Sequence, residues 1–79
     1  MSIATIVAEN LHALRLARNL PQTAVAKKAG FTVSYISMLE RGERTPPLET
    51  LEALAKALHV DPVDLLQEGA AKGTRSRKR

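Results

Sequence analysis

The residues that could do chemistry in this chain are few. His12 and His59 are the only histidines, and neither has a second histidine three or four residues away to place two metal ligands on one helical face. No metal site is expected. Thr32, Ser34 and Ser37 carry hydroxyls, yet none has an adjacent general base, and no glycine-rich loop is present to cradle a phosphate. The cysteine count is 0, which removes thiol catalysis, disulfides and zinc fingers together. The expectation is therefore a protein without enzymatic activity or cofactor. What remains is charge and hydrogen bonding. Asn10 to Leu39 contains Arg15, Arg18, Lys27 and Lys28 with no carboxylate, whereas Glu40 to Glu68 carries Glu40, Glu43, Glu49, Glu52, Asp61, Asp64 and Glu68 against Arg41, Arg44 and Lys56. Such a division suits anion binding on one face. It is equally what two solvated helix faces would show.

The overall balance is +4, but Lys72, Arg75, Arg77, Lys78 and Arg79 lie in the last stretch, so residues 1–68 have 7 basic side chains against 8 acidic ones. Residues 69–79 contain no large apolar side chain to offset the entropy of ordering, and they are expected to be a disordered basic tail. With 79 residues, 44% of them hydrophobic and only one Phe and one Tyr, residues 1–68 should form one small domain without a deep substrate pocket. A chain this short leaves no space for a second, ligand-sensing domain, so no small-molecule ligand is expected. No apolar run exceeds three residues, far short of the roughly 20 a membrane-spanning helix needs. The N-terminus also lacks the basic start of a secretory signal. A cytoplasmic location is expected.

The elements that hold these groups are all helical. Val7, Leu11, Leu14 and Arg18 recur at +4, +3 and +4, which predicts a first helix over Ile6 to Arg18. Asn19, tolerant of left-handed backbone, and Pro21 should close it and open the next. A short Ala-rich helix follows over Gln22 to Ala29, ended by Gly30. Thr32 is a good N-cap for a third helix over Val33 to Glu40, with Ile36 and Leu39 inward and Gly42 as its stop. A fourth helix, Leu48 to Leu58, shows an apolar stripe of Leu48, Leu51, Leu54, Ala55 and Leu58. Asp61 as N-cap, Pro62 in the first turn and Asp64 near the positive helix end predict a fifth over Pro62 to Gln67. No segment alternates as a half-buried strand would, and the fold class is all-α.

The second and third helices must cross closely, which requires a small residue at the crossing, Ala26, and a positive φ at Gly30. Val25, Ile36 and Leu39 supply the apolar lock of a helix-turn-helix. Leu14-Arg15 with Arg18, Gln22 to Ala26, Gly30 to Ser37, Leu39 to Arg44, Pro47 and Leu51 to Leu58 together make residues 6–67 resemble the lambda repressor and Cro type of helix-turn-helix domain, the XRE family. That resemblance implies a five-helix DNA-binding domain, acting as a dimer on a two-fold operator.

The resemblance also implies roles residue by residue. The third helix would lie in the major groove, with Val33, Ser34, Ser37 and Met38 at positions that reach base edges. Ser34 can exchange a hydrogen bond with a base, whereas Val33 and Met38 offer only apolar contact, for instance with a thymine methyl. Relatives often carry Gln there, so shape or water-mediated readout is expected to supply more of the specificity. Gln22, Thr23, Tyr35, Arg41, Arg44 and Thr45 would contact the sugar-phosphate backbone, Gln22 from a helix N-terminus that favours anions. Leu48 stands where some relatives place a minor-groove Arg, and no such contact is expected. Arg15 and Glu40 resemble an internal ion pair with a structural role. Val60, Val63, Leu65 and Leu66 are candidates for the dimer interface, some of them core instead.

The implied partners are double-stranded DNA and a second copy of the chain, and the implied activity is that of a small autoregulatory repressor or restriction-modification controller. The tail would add phosphate contacts or simply solubility. An alternative reading is a protein-binding module, such as an antitoxin, whose main partner is another protein.

Overall fold

The computed structural model describes residues 2–69, and among them every regular element is a helix. They are α1 (Ile3–Ala17), α2 (Gln22–Ala29), α3 (Val33–Glu40), α4 (Leu48–Leu58) and α5 (Val63–Leu66). No described helix is long and apolar enough to cross a membrane. The expected basic tail lies outside the described residues apart from Gly69.

Helices α2, α3 and α4 occupy the expected ranges because local signals bound them. Thr32 Oγ1 accepts the Tyr35 backbone N–H at 3.1 Å and so caps α3. Asn19, Gly30, Gly42 and His59 have φ of 54°, 84°, 74° and 59° respectively, and each closes the helix before it. The closure is the same four times: the residue after the left-handed one donates its N–H five residues back, Leu20 to Arg15, Phe31 to Ala26, Glu43 to Met38 and Val60 to Ala55, at 3.1, 2.8, 3.0 and 2.9 Å. Leu20, Phe31 and Val60 then turn onto the core. His59 is the one such stop that the sequence does not announce.

Two helices differ from expectation. α1 begins at Ile3 rather than Ile6, because Ser2 Oγ accepts the Thr5 N–H at 3.1 Å and satisfies an amide of the first turn. α5 is a single turn, shorter than expected at both ends. Asp64, buried at 5% exposure, reaches back so that its Oδ2 accepts the Asp61 N–H at 3.1 Å. Buried Asn10 of α1 ties down the other end by donating to the carbonyls of Leu65 at 3.1 Å and Gln67 at 2.7 Å.

The core gathers Val7, Leu11, Leu14, Val25, Ala26, Ile36, Leu39, Leu51, Leu54, Ala55, Leu58 and Leu65. α1 packs on α3 and α5, while α2 packs on α3 and α4. Leu48 departs from the expected apolar stripe: at the first position of α4, before the helix reaches the core, it is 73% exposed. Leu65 likewise belongs to the interior, at 0% exposure, so it is removed from the candidate dimer surface. One turn of helix has few inward positions, and Leu65 takes the fully buried one, with Leu66 packed partly against the core.

Candidate nucleic-acid interface

α3 is held from two sides, by α1 and α2, through Ile36 and Leu39, both fully buried. Val33, Ser34, Ser37 and Met38 fall at i, i+1, i+4 and i+5, one stripe of the helix. Val33 and Ser34 are exposed, and Ser37 and Met38 are half-buried. The stripe is therefore offered outward on a helix whose opposite side is locked into the core. Tyr35 is half-buried instead, its ring edge-on to Phe31 with centroids 5.2 Å apart, so its body braces the turn between α2 and α3.

The five other residues expected to meet phosphate, besides Tyr35, fall into two groups. Thr23, Arg44 and Thr45 are exposed. Gln22 and Arg41 are already engaged within the chain. Gln22 Nε2 donates to Glu40 Oε1 at 3.1 Å, which draws this side chain toward the end of α3. Arg41 Nε and Nη2 grip Glu43 Oε2 and Oε1 at 2.7 and 3.1 Å, while Nη1 donates to Ser37 Oγ. The hydrogen bond between Arg41 and Glu43 leads the causes that raise the pKa of the arginine and lower that of the glutamate.

Arg15 and Glu40 form the interior pair that the family resemblance implies. Arg15 Nε donates to Glu40 Oε2 at 2.6 Å and Nη2 to Oε1 at 3.0 Å, with side chains 10% and 5% exposed. Arg15 Nη1 also donates to the Leu20 carbonyl at 2.8 Å, which joins α1 to the chain entering α2. Burial acts most strongly on the Glu40 carboxyl and raises its pKa, but hydrogen bonds from Arg15, His12 and Gln22, with the positive charge of Arg15, together outweigh it and hold the group below the usual carboxylate range. His12, which sequence reasoning weighed only as a metal ligand, belongs to this cluster, with Nδ1 3.0 Å from Glu40 Oε1. Its spacing along the chain gives no hint of that contact. Asn10 was also missed, since its two carbonyl partners lie beyond residue 60.

On the candidate dimer surface, Val63 is 47% exposed, while Val60 and Leu66 are half-buried against the core. Among the described residues, no group of three or more His, Asp or Glu is placed to hold a metal.

Comparison with known proteins agrees with this architecture. The family model described as "Helix-turn-helix" matches residues 11–65. Control protein C.SmaI of Serratia marcescens is 42% identical over 66 residues, covering 84% of this chain and 79% of that protein. The crystal structure of the restriction-modification controller protein C.AhdI from Aeromonas hydrophila superposes with a TM-score of 0.76 at 34% identity, covering 78% of this chain and 94% of that one. The DNA-binding domain of the P22 c2 repressor gives a TM-score of 0.79 at 34% identity, over 89% and 91% of the two chains. With α2 and α3 as its paired helices, this chain belongs to the helix-turn-helix family of the lambda repressor and Cro, or XRE, type.

Proposed function

We propose that this chain is a sequence-specific DNA-binding transcriptional regulator, a small autoregulatory repressor or controller that binds a two-fold operator as a homodimer in the cytoplasm. The observation that carries this reading is the division of α3: Ile36 and Leu39 are fixed in the core while Val33 and Ser34 stay in solvent. A rigid helix with a free polar and apolar edge is what the major groove admits. Arg41 and Arg44 follow α3 directly, where phosphates would flank a helix seated in the groove. Two relatives are named control proteins, C.SmaI and C.BamHI, and one structural neighbour is titled a restriction-modification controller protein, which favours the controller role.

Residues 1–68 are slightly acidic overall, so affinity must come from the α3 face, its duplication in a dimer, and the basic residues after 69. Val60, Val63 and Leu66 would form the apolar contact between copies, setting two α3 helices about 34 Å apart, one turn of DNA. The test is to titrate fragmented genomic DNA of the source organism with the protein and sequence what is retained. Retained fragments sharing a two-fold sequence are expected. Fragments with no common sequence, beside tight capture of a protein partner, would replace this reading with that of a protein-binding module.

A further inference from the structure

We propose that His12 is a further DNA-backbone residue, one that grips phosphate only as the imidazolium and so makes affinity for DNA rise as pH falls through the range in which histidine titrates. The inference rests on the DNA-binding reading above, which places a phosphate at Gln22. Gln22 Nε2, from α2, and His12 Nδ1, from α1, reach the same atom, Glu40 Oε1, at 3.1 and 3.0 Å. A phosphate received by Gln22 therefore comes up beside the His12 ring. That ring is 52% exposed, while the Glu40 side chain beneath it is 5% exposed.

The hydrogen bond to Glu40 fixes what the ring can offer. Glu40 is held as the carboxylate, an acceptor only, so His12 Nδ1 carries a proton and donates it. Arg15 Nη2, 3.4 Å from the same nitrogen, already donates to Glu40 Oε1 at 3.0 Å. In the neutral ring Nε2 is then a bare acceptor, which a phosphate oxygen repels. In the imidazolium Nε2 gains an N–H and directs it away from Glu40, because the two ring nitrogens point in diverging directions. Among the described residues no hydrogen bond takes that nitrogen.

Charge points the same way. Arg15 and Glu40 cancel, so the cluster shows DNA no net charge while His12 is neutral and one positive charge once it is protonated. The other charged groups on the packed elements leave this balance in place. Arg41 and Glu43, at the end of α3, pair with each other, and Asp64 of α5 turns back to the Asp61 N–H. On α1 itself Arg18 lies against the Leu14 carbonyl, and Glu9, one turn before His12, is exposed and screened by water.

The experiment titrates wild type, His12→Gln, His12→Arg and His59→Asn over a range of salt against the duplex that wild type most enriches from a random pool. Each titration is run at about pH 5.5 and about pH 8, on either side of histidine titration. Wild type should bind about two- to fivefold more tightly per subunit at the lower pH. Its salt dependence there should be steeper by about 0.9 in log K per log salt for each subunit, one more phosphate neutralised. His12→Gln keeps a donor for Glu40 but no charge, and should bind at both pH values as wild type does at the higher one. His12→Arg should bind at both as wild type does at the lower one. His59→Asn, at a left-handed position that Asn tolerates, should follow wild type. An NMR titration of wild type needs no variant: His12 should hold its proton to higher pH on the duplex than off it, and His59 should not. Wild-type affinity that is flat with pH, pH dependence that survives in His12→Gln, or an equal rise for both histidines would overturn the proposal. So would a His12→Gln variant weakened by the same factor at both pH values, which would make the ring a brace for Glu40. A protein that binds no duplex at either pH would instead overturn the DNA-binding reading, and this one with it.

Discussion

Among the described residues the same arginine–glutamate fork occurs twice. Arg15 meets Glu40 through Nε and Nη2 at 2.6 and 3.0 Å, and Arg41 meets Glu43 through the same atoms at 2.7 and 3.1 Å. Their surroundings differ. The first pair is 10% and 5% exposed at a junction of α1, α2 and α3, and its carboxylate also takes hydrogen bonds from Gln22 and His12. The second is about half exposed, in the loop that leads to α4, with Ser37 as its further partner among the described residues. Burial turns one fork into a fixed joint, because a lone charge left inside has no water to turn to. Exposure leaves the other replaceable, since water and phosphate can both take the place of its partner.

The sharpest way to break this contrast is to remove each arginine in turn. Arg15→Ala strands Glu40 and should destabilise the domain by about 3 kcal/mol or more, a fall in Tm of at least about 12 °C for a domain of this size. Arg41→Ala should leave Tm within a few degrees of wild type and weaken DNA binding. Thermal unfolding followed by circular dichroism reads both, and equal Tm losses would erase the distinction.

Acid should expose the same difference. Glu40 has its pKa lowered on folding, so its stabilising contribution is complete above the unfolded carboxylate value of about 4.3 and is lost as pH falls through the lower folded value. Between pH 5 and 3 the Tm of wild type should drop more steeply than that of Glu40→Gln. Parallel curves would show that the interior carboxylate is not linked to folding.

A milder test concerns another buried polar anchor, Asn10. Asn10→Ala leaves the Leu65 and Gln67 carbonyls without their donor and should cost about 1–3 kcal/mol, read as a lower urea midpoint with an unchanged slope. Smallest of all, Arg44→Ala should flatten the salt dependence of DNA binding by about 0.9 in log K per log salt at constant Tm, as expected when one fewer phosphate is neutralised. A Tm shift there would place Arg44 with Arg15 rather than with Arg41.

Much of the fold was legible because its signals are local. Gly30, Thr32, Gly42 and Pro47 mark the boundaries of α2, α3 and α4 within one or two residues of the event they cause, and the Ile36 and Leu39 spacing identifies the buried side of α3. Val33, Ser34, Ser37 and Met38 were singled out by the family resemblance, and their i, i+1, i+4 and i+5 spacing places them on one stripe beside that buried side. What the sequence hid depends on distance. Gln22 is drawn to Glu40 across 18 residues, His12 to the same carboxylate across 28, and Asn10 to Leu65 across 55, and no periodicity links such positions. Leu48 and Leu65 were misplaced for a related reason: an apolar residue at a helix end or in a single turn can face either way, and only packing decides.

The central claim, that the outward stripe of α3 reads bases, is tested most directly by selecting duplexes from a random pool with wild type and with Ser34→Ala, a substitution at an exposed position that leaves the core untouched. Wild type should enrich a two-fold sequence, and Ser34→Ala should relax the preferred base at one position of each half while keeping the wild-type Tm. Enriched sequences that are identical for the two proteins would contradict the claim.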